Sequence, residues 1–583
     1  MHKPQAEAVY LEPALLPPLG LPIYVSQQQA LPEIKDPRFP FEAGMVEGKN
    51  SPTGIGEGTG TGLISQLLLV PMEFFFLPWY NSDFLYSIAP YIAALVTIAI
   101  LTLKIRRKES DSRQKEKQVP VATTIIHVML NYHRIHDYIT DLAMKHPTAR
   151  IITPFQKMTA TVNPANVKHI LLTKFHNYGK GSFNYLILKD IFGDGIFTVD
   201  GEKWFEQRKA SSLELASKVL RDYSTTIYKE KAIHLANTVA TAANLNQTID
   251  IQDLILKSSL DAIFKVTFGV EFDDACSTPE EAAKFGPAFY KANYLSIQRY
   301  VDVLWPIKKR LNIGSEATLK KCVEITDHVV YKLIERRAQE IRQSQDSISV
   351  TRYDILSRFL YSGETDPKNL RDSTLSFVIP SRDPTSATLA WFFYMLCKQP
   401  ELQEKLAQEI KNVTKVESAA DITEFAENLS DEHLAKMHYL HAVLTETLRL
   451  YPSVPMNVKM CFSDDTLPDG YKVNKGDLVF YLPYAMGRMK SIWGDDAEVF
   501  RPERWLGKDR NFQPASPFKF TAFQAGPRMC LGKEFAYKQM KIFCAVMISS
   551  FTFKLADERK SITYGVSKNL FIKGGLHVCT QRR

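Results

Sequence analysis

The chain has 583 residues, 45% of them hydrophobic, with 27 Gly and 31 Pro, so it is neither wholly disordered nor collagenous. Its 72 Lys and Arg against 64 Asp and Glu leave a formal charge of +8, an excess that suits an acidic partner or anionic lipid but is too small to imply nucleic acid. The 7 Cys form no C-x-x-C pair, which argues against a disulfide scaffold and for a reducing environment around most of the chain. Residues 1–71 are Pro-rich at first and then read GIGEGTGTG at Gly54 to Gly62. No strand precedes that stretch and no binding-type helix follows, so it reads as a linker rather than a dinucleotide loop. Met72 is the more natural start, and residues 1–71 are expected to be an extension, or an artefact of gene prediction, without a functional role. Within the anchor region 72–103, Phe84 to Leu103 is free of charge and long enough to span the ~30 Å hydrocarbon core as a transmembrane helix. Lys104, Arg106, Arg107 and Lys108 follow it, whereas Ser51 to Asp83 holds no Lys or Arg, which places everything after Leu103 in the cytosol. Residues 104–120 are charged and apolar-poor, a linker ending at Pro120.

From Val121 to Arg583 the pattern is mainly helical with small β segments. Helical periods run over Glu401 to Val413, opened by Pro400, and over Leu434 to Leu450. β signals stand near Arg150 to Ile152 and, after the Asp469-Gly470 turn, around Tyr471 to Val473. A length prior of about 150 residues per domain suggests three or four domains. The absence of an internal repeat or a second Gly/Ser linker argues instead for one large domain over 121–583. His433, His438 and His441 cluster, yet no H-E-x-x-H occurs, and a zinc site is not expected. There is likewise no G-x-S-x-G elbow and no Walker loop.

The sharpest motif is Phe523-Gln524-Ala525-Gly526-Pro527-Arg528-Met529-Cys530-Leu531-Gly532, followed by a segment of helical composition. F-x-x-G-x-R-x-C-x-G fixes five positions, so a chance match in such a chain is on the order of one in several thousand. Cys530 falls just before a helix N-terminus, where the dipole and free N–H groups favour a thiolate, an anion able to ligate a metal. Here the sequence resembles the haem-thiolate monooxygenases, the cytochrome P450 family, whose axial ligand is a Cys thiolate. The resemblance implies that Cys530 ligates the iron of haem b, that Phe523 packs near the sulfur and that Arg528 binds a haem propionate. It also gives meaning to Glu446-Thr447-Leu448-Arg449 and to Arg504 in FRPERW, which in the family form a buried structural network. Trp204 and Arg208, at i and i+4, match the family's W-x-x-x-R and are expected against a propionate.

The likeness covers roughly Val121 to the C-terminus and is nearest to the plant branch that hydroxylates fatty acids at the terminal carbon. It therefore implies the cytochrome P450 fold behind a single-pass endoplasmic-reticulum anchor. It further implies O2, a long-chain fatty acid or related lipid as substrate, and electrons from an NADPH–cytochrome P450 reductase. One departure stands out. Where the family reads A/G-G-x-D/E-T-T, this chain reads Pro380-Ser381-Arg382-Asp383-Pro384-Thr385, so the Thr that helps deliver protons to oxygen has become Pro384. A proline in an ordinary helix interior costs ~3 kcal/mol. Asp383 and Thr385 are retained as catalytic candidates, with Thr385 able to replace the missing hydroxyl only if the backbone shifts. Two alternatives stay open beside fatty-acid hydroxylation: isomerisation or dehydration of an oxygenated lipid, and a haem- or lipid-binding paralogue impaired in turnover.

Overall fold

A computed structural model describes residues 119–153, 157–300, 302, 304–343, 353–416 and 421–583. The extension 1–71, the Phe84 to Leu103 span and nearly all of the 104–120 linker lie outside the described residues. Among the described residues no helix is long and apolar enough to cross a membrane.

The described chain is mainly helical, with a six-stranded sheet, a three-stranded sheet and a two-stranded one. Strands are numbered β1 Val121–Thr124, β2 Thr148–Ile152, β3 Met158–Thr161, β4 Tyr178–Gly179, β5 Ile249–Asp250, β6 Asn457–Cys461, β7 Asp465–Thr466, β8 Lys472–Val473, β9 Leu478–Tyr481, β10 Phe551–Leu555 and β11 His577–Arg582. The large sheet runs β1-β2-β3-β9-β6-β4, parallel at β1/β2 and β3/β9 and antiparallel elsewhere. It carries its own apolar cluster, while a larger cluster lies among the helices.

At the centre of the helical part, Pro367–Lys398 packs along Ile251–Phe268. Both begin where the sequence supplies a cap. Asp366 accepts from the Lys368 N–H at 3.0 Å just before Pro367, and Asp250 accepts from the N–H groups of Gln252 and Asp253. Gly269, at φ +74°, closes the second helix in the left-handed conformation.

One sequence expectation is corrected. The period over Leu434 to Leu450 is not one helix: Asp431–Lys436 ends at Met437, and His438–Leu450 starts afresh. The break is fixed by Glu409, whose carboxylate accepts from the Tyr439 and Leu440 N–H groups at 2.7 and 2.8 Å and so caps the second helix from outside. Pro380 and Pro384 lie inside Pro367–Lys398, which continues through both. Thr388 Oγ1 donates to the Pro384 carbonyl at 2.8 Å.

Candidate active site

The Cys530 loop is held by backbone geometry. Gln524 and Gly526 adopt φ of +59° and +66°. A Cβ on Gly526 would lie 1.9 Å from the Leu171 carbonyl oxygen, so this position needs glycine for space as well as for conformation. The Cys530 N–H donates to the Phe523 carbonyl at 2.9 Å, and the helix Lys533–Ser550 starts two residues after Leu531. Phe523 rests on Tyr537 with ring centroids 5.2 Å apart. All seven cysteines are free, and Cys530 is exposed. Desolvation by packed surroundings pushes the Cys530 thiol up, and the Gly532 N–H, Arg208 and Lys533, which all pull it down, do not compensate.

Beside this loop lies a group of cations, Lys459 buried and Arg528, Arg208 and Lys180 half-buried. The Arg528 guanidinium donates to Asp200 at 2.6 Å and to the Val199 carbonyl at 3.1 Å, and it stacks over Trp204 at 4.3 Å. Its Nε is buried without a partner. Arg208 donates to the Met529 carbonyl at 2.6 Å, so Trp204 and Arg208 both reach the Cys loop from the helix Gly201–Ala216. Sequence reasoning missed Lys180 and Lys459. Neither ammonium has a hydrogen-bond or ion-pair partner among the described residues, and burial with like charges nearby lowers Lys180 to about 8 and Lys459 well below its ordinary value. Asp200 is the one carboxylate set among them, and it also accepts from the Lys180 and Gly181 N–H groups. Three cations around one carboxylate, with an orphaned Nε, suit a bound dianion such as the two propionates of haem, so the residues present fit the group.

Lys180 and Lys459 line a cavity of ≈ 590 Å³. Pro380, Arg382, Asp383 and Pro384 form one wall, and Ile125, Val128, Ile135, Ile139 and Ile151 line an apolar stretch. Asp383 accepts from Arg382 at 2.9 Å, and the Arg382 guanidinium lies 4.1 Å from the Tyr290 ring centroid. Thr385 is buried, at 5% exposure, and is not on the cavity wall. In an uninterrupted helix it is rotated by about 100° from Pro384, which does face the cavity. The backbone shift that Thr385 needs in order to stand in for the missing hydroxyl is therefore absent. Arg382, not singled out in the sequence, takes the place on the wall.

Glu446, Arg449 and Arg504 meet in the interior. Glu446 is fully buried and accepts from Arg449 at 2.7 and 2.8 Å, from Arg504 at 3.0 Å, from the Arg501 N–H at 2.8 Å and from Trp505 Nε1 at 2.8 Å. Arg449 donates further to the carbonyls of Gly487, Ala497 and Val499. The three histidines have other roles: His433 caps Asp431–Lys436 with Ser430, His438 accepts from the Phe512 N–H, and His441 stacks on Tyr537 at 4.2 Å.

A family model described as Cytochrome P450 matches residues 115–573. Cytochrome P450 704C1 of Pinus taeda is 47% identical over 483 residues, which is 80% of this chain and 92% of the relative. Cytochrome P450 704B1 of Arabidopsis thaliana is 41% identical over 530 residues, 85% of this chain and all of the relative (100%). Cytochrome P450 94A1 of Vicia sativa is 35% identical over 484 residues, 80% and 90% of the two chains. With the Cys530 loop and its dianion cradle, these matches establish that the chain belongs to the cytochrome P450 family, the monooxygenases whose cofactor is haem.

Proposed function

We propose that this protein hydroxylates long-chain fatty acids, with O2 as co-substrate and an NADPH–cytochrome P450 reductase as electron donor. The cavity carries the reading: Ile125, Val128, Ile135, Ile139 and Ile151 give it an apolar stretch that suits an alkyl chain, and Gln524 of the Cys530 loop lines the same cavity. Haem, when bound through Cys530, supplies oxygen reduction and insertion into a C–H bond. The chain's own residues hold and orient. Arg528, Trp204, Arg208, Lys180 and Lys459 fix the propionates, and the apolar wall excludes water and aligns the lipid. Phe84 to Leu103 serves as a single-pass anchor in the endoplasmic-reticulum membrane with the domain in the cytosol, on the strength of the basic cluster that follows it.

The likeness to the omega-hydroxylating branch favours the methyl end toward Cys530 and oxidation at or near the terminal carbon. Lys568 is a cation on the cavity wall. Pro384 on the same wall, offering no hydroxyl, favours in turn the isomerase or impaired-paralogue readings. Purified protein with reductase and NADPH, assayed against a panel of fatty acids, separates these. A hydroxylated product supports the proposal and its position gives the orientation. Turnover of an oxygenated lipid without NADPH supports the isomerase, and no turnover of either supports the paralogue.

A further inference from the structure

Of the described residues that line the cavity, all but two are buried or half-buried. The exceptions are Tyr132, at 37% exposure, and Tyr294, at 52%, so the cavity meets solvent between them. They come from separate segments, the short turn Tyr132–Arg134 and the helix Pro279–Gln298, yet they stand close enough that burial, and then Tyr294, raise the Tyr132 pKa. Tyr132 thus keeps its proton at neutral pH and can donate it to a hydrogen bond. No cation among the described residues acts on that hydroxyl. The four cations of the cavity wall answer to other groups: Lys180 and Lys459 to Arg528 and Asp200, and Arg382 and Lys568 to Asp383. Tyr132 has no hydrogen-bond partner among the described residues, and Tyr294 accepts from Gln298 Nε2, which leaves its own O–H without an acceptor there. Two neutral donors therefore stand at the mouth, and close to Tyr132 in the chain the buried Val128, Ile135 and Ile139 line the same cavity.

We propose that Tyr132 and Tyr294 form a headgroup subsite at the mouth of the cavity, where their hydroxyls donate to the oxygen atoms of an acyl head, carboxylate or ester, while the alkyl chain runs inward past Val128, Ile135 and Ile139. The inference deepens the lipid reading above and rests on it. A head at the mouth stays partly hydrated, so a carboxylate there needs no buried counter-charge, and an ester carbonyl offers the two donors the same kind of acceptor. The subsite reads oxygen rather than charge. It also leaves the methyl end to the interior, as oxidation at the terminal carbon requires.

The test is a titration of the haem-loaded wild-type protein at neutral pH with hexadecanoic acid and with its methyl ester, followed by the shift of the Soret band, with imidazole as a ligand that needs only the haem. Acid and ester are expected to bind within about threefold of each other. Y132F and Y294F should each weaken both ligands about threefold, and the double variant about tenfold, at unchanged haem content and imidazole affinity. An acid bound about tenfold or more tightly than the ester shows that a charge holds the head, and it overturns the subsite. So do variants that bind acid and ester like the wild type, and either result leaves the lipid reading standing. A double variant that loses haem or imidazole binding assigns the two tyrosines to the fold and also overturns the subsite. No shift with acid or ester in the wild type overturns the lipid reading and the subsite together.

Discussion

Replacing Glu446 by Ala removes the acceptor of five hydrogen bonds at once, from Arg449 twice, Arg504, the Arg501 N–H and Trp505 Nε1. Arg449 and Glu446 both have side chains at 0% exposure, so no water replaces what is lost. Arg449 keeps its carbonyl partners, but the opposing charge is gone, and breaking a buried pair from one side costs ~3–5 kcal/mol. Trp505 Nε1, also buried, loses its acceptor, worth a further ~1–3 kcal/mol if nothing relaxes. Against a total stability of ~5–15 kcal/mol, E446A is expected to lose about a quarter or more. The measurement is urea unfolding followed by far-UV circular dichroism, with haem per chain determined on the same preparation. E446D keeps the charge with one methylene fewer and should recover part of the loss. E446Q should not, because its NH2 would face donors. An E446A protein with full haem content and a stability within ~1 kcal/mol of wild type would refute the reasoning.

Gly526→Ala is expected to displace the Cys530 loop and lower haem retention, because its Cβ would meet the Leu171 carbonyl at 1.9 Å in a left-handed backbone; haem content equal to wild type speaks against it. Cys530→Ala should abolish the red-shifted Soret band of the ferrous carbon monoxide complex, and persistence of that band would move the ligand elsewhere. His136 gives a pH dependence: its pKa falls from 6.5 unfolded to about 4 folded, so the unfolded state binds the extra proton between those values. Stability is therefore highest above pH 6.5 and declines by up to ~1.4 kcal/mol per unit as pH falls toward 4. His136→Leu should flatten that decline by one proton in chemical denaturation series, and an unchanged slope contradicts the assignment. Pro384→Thr should raise product formed per NADPH consumed, because a positioned proton donor is typically worth about 10² to 10⁴ in rate; equal coupling in both proteins means that the hydroxyl is not needed.

What the sequence made legible was local. The Cys530 loop, Trp204 with Arg208, and Glu446 with Arg449 are each read from a few residues whose spacing is itself the geometry, and the structure brings each set together. Arg504 was found through its own short motif. Lys180, Lys459 and Lys568 lie on three separate segments with no pattern around any of them, and only tertiary packing gathers them. Asp200 could have been read as an N-cap of Gly201–Ala216, yet its side chain makes no cap there and bonds the Lys180 and Gly181 N–H groups instead. The division at Met437 was hidden for a similar reason, since the cap that creates it comes from Glu409 on another helix.

Buried charge in this protein follows two distinct patterns. Glu446 is matched within the chain by five donors. Arg299 is matched too, by Glu316 at 2.9 Å, Asp190 at 2.6 Å and the Ile187 carbonyl at 2.9 Å. Such closed sets need nothing from outside, and their role is to hold helices in register. Arg528, Lys180 and Lys459 are the opposite case: cations drawn together at a cost in self-repulsion, with an orphaned Nε and depressed pKa values. Repulsion of that kind survives in a fold when a ligand relieves it, and the family's haem has the charge to do so.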